Sequence, residues 1–447
     1  MLDMEADFAL EELFFSKTDF KGRIEAANKV FLRVSEYAEH EVMQKPHNII
    51  RHADMPRSVF KLFWSFLQNR RPICAYVKNK SKSGRYYWVF AMAFPMQDGY
   101  LSIRLKPSTA LLPEVQNIYN DLIQKEGAGE DLDTAVQTLL QALKDRGFNS
   151  YEEFMSHALL TEMKSRDQLL SSTENVLDIN AVQGLLRTLL TSSRSCTVMA
   201  REAFRIADQL TERTRVLNSK SHGLADICSQ VQMVTTNLTI SAAKLGEAGK
   251  PLAVVSNNLE KLASEILSNS EDFEKTFAAF DRAASGMFIA IAIARFQVEM
   301  MNCLLEESLL TDKSASLEKE QEKILKQNCD LLKQLISTNF AEVQATAQKL
   351  IEENKSLIQC VAMLSKVTAG MDVICVVGKI EMARVKELSS SLEALLGDME
   401  GLTEDFKQIL RWIDGESKSG LHQSNRLRER LSVISQNLTA VESALGA

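Results

Sequence analysis

The spacing of apolar residues changes near residue 110. Before that point, short segments such as RYYWVFAMAFPM and GYLSIRLK are rich in aromatic and β-branched residues and are bounded by Gly, Pro and Ser, which is typical of strands. Between the strand-like segments, SEYAEHEVM and PRSVFKLFWSFLQN have helical spacing. The order predicts a strand pair, short helices and three further strands, with Gly84 in the turn of the hairpin KSKSGRYYW.

Residues from about 113 onward have a helical pattern. Apolar residues recur at spacings of three and four, as at Leu259, Leu262 and Ile266, and polar residues fill the other positions. Pro251 is the only proline after Pro113, which suits long helices because an internal proline costs a helix about 3 kcal/mol. The sequence therefore predicts an α+β domain followed by a long all-α helical bundle or coiled-coil hairpin.

Composition and charge exclude several classes of protein. The formal net charge of -7 argues against a nucleic-acid partner, which would favour a basic face. The longest apolar run without a charge, residues 283–294, is shorter than the roughly 20 residues that cross a bilayer, so we expect no transmembrane segment. The amino terminus, MLDMEADFALEELFF, is acidic and lacks the basic start of a secretion signal.

The side chains that carry metal and catalytic chemistry are sparse. The 7 cysteines include no Cys-x-x-Cys pair, so we expect neither a disulfide framework nor a metal site, and a reducing, cytoplasmic location. The sequence has no P-loop, no glycine-rich dinucleotide motif and no supported Ser/His/Asp or Cys/His arrangement. We therefore expect a non-enzymatic protein with no catalytic residues.

The run PHNIIRHADMP, at residues 46–56, is one of several segments that match a known protein family. With IEAANKVF before it and VKNKSKSGRYYWV after it, residues 14–108 resemble the PAS domain of bacterial aerotaxis receptors. The resemblance implies a PAS fold that binds FAD noncovalently and reads the redox state of the cell. The residues implied to contact the cofactor are Asn28, His47, Arg51, His52, Asp54 and Trp64, with Asn79 and Trp88 as further candidates.

The chemistry of these residue types agrees with a flavin. Arginine stabilises the negative charge that a reduced flavin carries near N1 and the C2 carbonyl. Asparagine both donates and accepts hydrogen bonds at the edge of the ring, and tryptophan offers a flat face. Haem is the competing cofactor, with His47 or His52 as an axial ligand. The alternative without a cofactor is that the histidines cap turns and Trp64 fills core.

Three departures from the family pattern lie in this first region. Ile73 stands where the family usually has tryptophan, Glu36 stands where it usually has glycine, and the last hairpin, PMQDGYLSIR, is shortened. Each departure is expected to reshape the flavin pocket.

A second resemblance surrounds Pro251. Residues 227–263, ICSQVQMVTTNLTISAAKLGEAGKPLAVVSNNLEKLA, resemble the signalling tip of methyl-accepting chemotaxis proteins over their whole length and without a gap. In that family the stretch is a helical hairpin. The resemblance implies that the chain reverses at residues 246–250, with Pro251 in the first turn of the returning helix, where its missing N–H costs little.

Two polar positions of this tip depart from the family. Ser241 replaces a glutamate and Lys244 replaces an arginine, which is not equivalent to lysine where paired contacts are made. The resemblance implies that the tip contacts the CheA kinase and the CheW coupling protein, and the departures predict weakened kinase control. The candidate partner-binding residues are Gln230, Asn237, Ser241, Lys244 and Glu247.

A weaker copy of the tip lies further along the chain. Residues 374–403 align with 234–263 without a gap, at an offset of twenty heptads, which keeps one coiled-coil register. The second copy keeps an Ile380-Glu381-x-Ala383-Arg384 pattern but lacks the glycine pair of the turn. An internal duplication is one interpretation, and convergent helical composition in one continuous helix is the other.

These patterns together predict a cytoplasmic redox or oxygen sensor of the aerotaxis-receptor type. The alternative is a degenerate receptor that acts as a non-catalytic scaffold. The long apolar stripes favour a homodimer, although a chain of several helices can also fill a bundle core by itself. The expected segments are a PAS sensor at 1–110, a helical connector at 111–150, a chemoreceptor-like hairpin at 151–312 and a C-terminal helical region, a candidate duplicate hairpin, at 313–447.

Overall fold

The computed structural model describes residues 4–170, 184–311, 319–384 and 390–446. Five strands form one sheet in the order β2-β1-β5-β4-β3, and every paired neighbour is antiparallel. The strands are β1 (Phe14–Thr18), β2 (Ile24–Ala27), β3 (Ile73–Lys80), β4 (Tyr86–Pro95) and β5 (Tyr100–Leu105). The helices are α1 (Lys29–Ser35), α2 (Glu39–Val42), α3 (Arg57–Gln68), α4 (Leu111–Gly127), α5 (Leu132–Lys144), α6 (Tyr151–Leu170), α7 (Gly184–Lys244), α8 (Lys250–Thr311), α9 (Lys319–Arg384) and α10 (Ser390–Gly446).

The predicted fold class is confirmed. A strand pair, short helices and three strands precede the long helices, in the order that the apolar pattern predicts. Gly84 has a φ of +90° in the turn between β3 and β4, a conformation that glycine adopts without steric cost.

Alternation along the strands gives the sheet two different faces. Tyr76 and Trp88 lie on the face that meets the helices after the sheet. The Tyr76 hydroxyl donates to Glu162 of α6 at 2.8 Å, and Trp88 packs against Tyr119 of α4 with ring centroids 6.4 Å apart. The opposite face carries smaller and polar side chains, which leaves space between it and α3.

Glu36 shows why glycine is usual at this position. It ends α1 with a φ of +61°, the left-handed region that a side chain disfavours. Its carboxylate accepts from the Ser83 backbone N–H at 2.9 Å and pairs with the Arg85 guanidinium. Arg85, with Ser83 as the second donor, lowers the pKa of Glu36 to about 2. These contacts offset the unfavourable backbone conformation.

Replacing Glu36 with glutamine is therefore expected to lower stability at neutral pH by no more than roughly 1 kcal/mol, the range of exposed ion pairs. Because the folded carboxyl has the lower pKa, this stabilisation is complete above the ordinary value of 4.5 and is lost as the pH falls towards 2. Thermal unfolding of both proteins from pH 7 to pH 2.5 measures the difference. Glu36→Gly is the control that removes the carboxylate and the backbone strain together. A difference that does not shrink with acid would contradict the assignment.

A buried ionic cluster joins α6 to the last part of α8. Glu299 accepts from Arg166 at 2.7 Å and from Arg295 at 2.8 Å, and Arg295 also donates to Asp167 at 2.9 Å. Burial opposes the charge of Arg295, but Glu299 and Asp167 outweigh it and raise its pKa. Arg166 donates in addition to the carbonyl of Glu11 at 3.2 Å. The cluster therefore fixes the segment before β1, α6 and α8 to one another.

The chain divides into two compact units. The first contains residues 1–198, 292–339 and 434–447, and the second contains 199–291 and 340–433. The second unit consists of the adjoining parts of α7, α8, α9 and α10, whose apolar faces are buried. Each unit therefore contains part of the predicted hairpin segment, 151–312, and part of the predicted C-terminal region, 313–447.

Two segments of the described helices pass a test of length and composition for a membrane span. They are Gly246–Glu307 and Phe340–Arg384, whose most apolar windows are 78% and 33% buried. Core helices of soluble proteins pass the same test, so this is weak evidence for a span. The expected absence of a transmembrane segment stays a prediction.

Candidate functional site

The polar face of the PAS sheet, α3 and the turn before it enclose a cavity of about 260 Å³. Strands β1, β3, β4 and β5 contribute alternate residues to its wall, and α3 contributes aromatic side chains. Pockets of this kind, apolar with a few convergent polar groups, are where small ligands and cofactors bind. The polar residues that line it include Ser16, His47, Arg51, Asn79, Ser102 and Arg104.

Four of the predicted cofactor residues line this cavity: His47, Arg51, Trp64 and Asn79. A short 3-10 helix, His47–Ile50, brings the first two of them to one wall. Trp64 on α3 meets the ring of Tyr100 edge-on at 5.4 Å. The cavity therefore gathers a histidine, a cation, an amide and an aromatic face from three elements, the 3-10 turn, α3 and β3.

Arg51 and Asn79 form the most polar wall. The Arg51 guanidinium donates to the carbonyl of Met55 at 2.8 Å and lies 4.3 Å from the centre of the Phe60 ring. Burial lowers the pKa of Arg51. The amide nitrogen of Asn79 is buried and has no hydrogen-bond partner among the described residues. An unpaired buried donor is costly, which points to a ligand that accepts from it.

A second cation lines the cavity beside His47. Arg104 of β5 is 5% exposed and donates to Ser16 at 2.8 Å and to Nε2 of His47 at 2.7 Å. Burial lowers the pKa of Arg104 to about 10, which leaves it protonated at neutral pH, and its Nη1 has no partner among the described residues. Burial and the charge of Arg104 lower the pKa of His47 well below its usual value. His47 is therefore neutral and accepts through Nε2.

Ser16 and Arg104 were missed by the sequence analysis. The available signal was the segment GYLSIRLK, in which Ser102 and Arg104 alternate with apolar residues. In a strand with an apolar pattern on one face, an arginine on the other face reads as a solvent-exposed residue. The turn that carries His47, together with Phe31 of α1, packs over this face and covers Arg104.

The other four predicted residues lie outside the cavity lining. Asn28 caps α1, accepts from the backbone N–H of Phe31 at 3.1 Å and donates to the carbonyl of Leu13 at 2.8 Å. Asp54 is exposed and pairs with Lys78 at 2.6 Å. Nδ1 of His52 accepts from the Asp54 backbone at 3.1 Å, and Trp88 faces α4. Each of these four side chains therefore has a contact within the protein.

The residues of the cavity fit a flavin better than a metal centre. Two cations and an unpaired amide donor suit a ring edge with carbonyl oxygens and ring nitrogens. For haem, Nε2 of His47 already faces a guanidinium, which opposes binding of a metal ion at that atom. Among the described residues, no group of three or more His, Cys, Asp or Glu side chains is placed to hold a metal ion.

The predicted tip forms a second candidate site. Helix α7 ends at Lys244, a 3-10 turn spans Gly246–Gly249 and α8 begins at Lys250. Gly246 has a φ of +57°, and a Cβ on Gly249 would lie 2.1 Å from the carbonyl oxygen of Ala242. Both positions therefore require glycine. Ser241 is half-buried, and the four other candidate contact residues are exposed: Gln230, Asn237, Lys244 and Glu247.

Comparisons with known proteins agree with both resemblances. The family described as PAS fold matches residues 24–101. The chain is 38% identical to the aerotaxis receptor of Escherichia coli (strain K12) over 112 residues, which cover 24% of this chain and 22% of that protein. It is 25% identical to the methyl-accepting chemotaxis protein NahY of Pseudomonas putida over 179 residues, 37% of this chain and 32% of that protein. The chain thus matches less than a third of either relative's length.

Solved structures with a similar domain include a PAS domain from Colwellia psychrerythraea. It is 18% identical, with a TM-score of 0.19, and the match covers 21% of this chain and 85% of that one. The dark structure of the blue-light photoreceptor Aureochrome1 LOV is 20% identical, with a TM-score of 0.21, covering 24% of this chain and 85% of that one. On these matches, the chain contains a PAS domain homologous to that of the aerotaxis receptor and is similar over part of its length to a methyl-accepting chemotaxis protein.

Proposed function

We propose that this protein is a cytoplasmic redox or oxygen sensor of the aerotaxis-receptor type. In this proposal the PAS domain binds FAD noncovalently in its cavity, and the helical region carries the signal to the chemotaxis kinase pathway through the CheA kinase and the CheW coupling protein. The observation that carries the proposal is the cavity itself, which holds a buried arginine, a half-buried arginine and a buried amide with no partner among the described residues, in a domain homologous to that of an aerotaxis receptor.

Each polar group of the cavity has a role in this proposal. A bound flavin supplies a ring that accepts electrons and becomes more negative when reduced. Arg104 and Arg51 hold positive charge at the cavity wall and favour that negative form. The unpaired amide of Asn79 donates to a ring-edge acceptor, and Trp64 contacts the ring face. Neutral His47 orients Arg104 through their 2.7 Å contact.

A second candidate function is a non-catalytic scaffold that binds a signalling partner without controlling a kinase. The observation that favours it is the tip, where Lys244 is exposed and Ser241 half-buried at the two positions that depart from the chemotaxis family. The two functions differ in one result. A sensor changes kinase output with the redox state of its cofactor, and a scaffold does not.

The absorbance spectrum of the purified protein tests the cofactor directly. Bands near ~370 and ~450 nm, as expected of oxidised flavins, support the proposal, and a Soret band would assign haem instead. Protein that stays colourless after incubation with FAD would contradict it.

Arg51→Ala is expected to empty the site, because it removes a half-buried cation from the cavity wall. His52→Ala is the matched control, since this neighbouring residue faces away from the cavity and is expected to keep flavin at the wild-type ratio. Flavin content per protein, measured by absorbance after gel filtration, and circular dichroism to check the fold decide the result. Equal flavin in both variants would overturn the assignment of the cavity.

A further inference from the structure

The second compact unit is built from two helical hairpins with the same internal geometry. The first is α7 with α8, which reverses at the 3-10 turn Gly246–Gly249, and the second is α9 with α10, described up to Arg384 and from Ser390. A heptad pattern alone coincides at every multiple of seven, so contacts, rather than spacing, must identify the repeat.

Contacts inside each hairpin follow the same offset. The hydroxyls of Thr239 on α7 and Ser256 on α8 form a hydrogen bond. The corresponding positions of the second hairpin, twenty heptads further on, are Lys379 and Leu396. The side chain of Leu396 lies against Gly378, and Lys379 pairs with Glu400 at 2.5 Å. The two hairpins therefore align their antiparallel helices with the same stagger.

Contacts between the hairpins follow it as well. On one side, Leu262 of α8 lies against Gly370 of α9, and on the other, Ile409 of α10 lies against Gly223 of α7. If Leu262 and Gly370 are each replaced by the equivalent position of the other copy, twenty heptads away, the pair becomes 402 and 230. These positions lie one heptad before 409 on α10 and one heptad after 223 on α7. The second contact is therefore the first one moved by one heptad along a pair of antiparallel helices. The two hairpins are therefore related by a pseudo-two-fold axis.

The core residues of the two hairpins correspond in the same way. At the twenty-heptad offset, buried residues match buried residues along both hairpins. Examples are Leu210 and Leu350, Leu217 and Leu357, Leu224 and Leu364, Leu259 and Met399, Ile266 and Phe406, and Phe273 and Ile413. The apolar faces of all four helices meet within one chain. Ion pairs such as Arg213 with Glu416 at 2.5 Å join α7, the first of the four helices, to α10, the last.

We propose that residues 199–291 and 340–433 are duplicated hairpins, and that one chain completes by itself a pseudo-symmetric four-helix bundle. A single chain then supplies both halves of the signalling unit. The apolar stripes are covered within that chain, so they no longer favour a homodimer. The halves are not identical. Where the first tip has Ser241 and Lys244, the second has Glu381 and Arg384, which form an ion pair at 2.7 Å. This architecture is independent of the cofactor.

Disulfide cross-linking in the full-length protein tests the proposal. Thr276 on α8 lies 3.6 Å from the sulfur of the natural Cys360 on α9, so Thr276→Cys places two thiols together. Gly223→Cys combined with Ile409→Cys tests the contact between α7 and α10, because a Cβ on Gly223 would lie 3.6 Å from Cδ1 of Ile409. Lys275→Cys is the matched control, because this exposed neighbour faces solvent.

Both designed pairs are expected to oxidise within one chain. Non-reducing gels then show a monomer that migrates faster than the reduced form, and the control shows none. A disulfide-linked dimer that depends on the introduced cysteines would mean that hairpins from two chains pair, and would overturn the proposal. Failure of the Gly223→Cys, Ile409→Cys protein to oxidise, in folded protein, would show that α7 and α10 are not in contact and would overturn it too. Light scattering of wild type separately tests the predicted homodimer.

Discussion

Replacing Glu299 with alanine is expected to lower the free energy of unfolding by about 3–5 kcal/mol, the range found when one partner of a buried ion pair is removed. Glu299 is 5% exposed and accepts from Arg166 and Arg295, which are themselves buried. Without it, two buried guanidinium groups lose a shared carboxylate, and only Arg295 keeps another one nearby, Asp167.

Urea unfolding followed by circular dichroism measures this effect. Glu306→Ala is the matched control, since Glu306 lies on the same helix but forms a more exposed pair with Arg194 at 3.2 Å. Such pairs contribute about 1 kcal/mol or less. If the two variants lose the same small amount, the cluster does not hold α6 to α8 as described.

Replacing Arg104 with glutamine is expected to lower the midpoint potential of a bound flavin by roughly 30–60 mV. A hydrogen bond to a charged group is worth about 1.5–3 kcal/mol, and 30 mV corresponds to about 1.4 kcal/mol for a two-electron couple. Because Arg104 is buried and its Nη1 is unpaired, its charge is available to the reduced ring, and glutamine keeps a donor without the charge.

Redox titration of the flavin absorbance measures the shift. Lys106→Gln is the control on the same strand end, where the lysine is more exposed and pairs with Asp7 at 2.8 Å. The control is expected to leave the potential unchanged. An Arg104→Gln potential equal to or above that of wild type would place the negative part of the ring elsewhere in the cavity.

The fold could be predicted from the sequence because local patterns determine it. Alternation, turn glycines and the near-absence of proline specify the strands and the long helices. At Glu36 the sequence indicated a departure, but the compensating contacts come from Ser83 and Arg85, which are distant in sequence. Such long-range contacts cannot be read from a local pattern.

The cofactor site was predictable only in part, because a motif does not state which way each side chain points. In PHNIIRHADMP, a single turn directs His47 and Arg51 to the cavity, while Asp54 pairs with Lys78 at the surface. Asn28 serves as a helix cap, a role that its residue type also fits. Arg104 was not predicted because its burial depends on elements distant in sequence, α1 and the turn that carries His47.

The repeat at 374–403 shows another limit of prediction from the sequence. The offset of twenty heptads was visible, but the second copy lacks the glycines of the first turn, so a continuous helix remained an alternative. Residues 385–389 lie outside the described part of the chain. The contacts between α9 and α10 on either side of them favour a second hairpin.

The central claim is that the redox state of a flavin in the PAS cavity reaches the chemotaxis kinase. Phosphorylation activity of CheA, measured with CheW and the full-length protein under oxidising and reducing conditions, tests it most directly. We predict that kinase activity differs between the two conditions with wild type and does not differ with Arg51→Ala, while His52→Ala behaves as wild type. Equal kinase activity in both conditions with flavin-loaded wild-type protein bound to the kinase would contradict the claim.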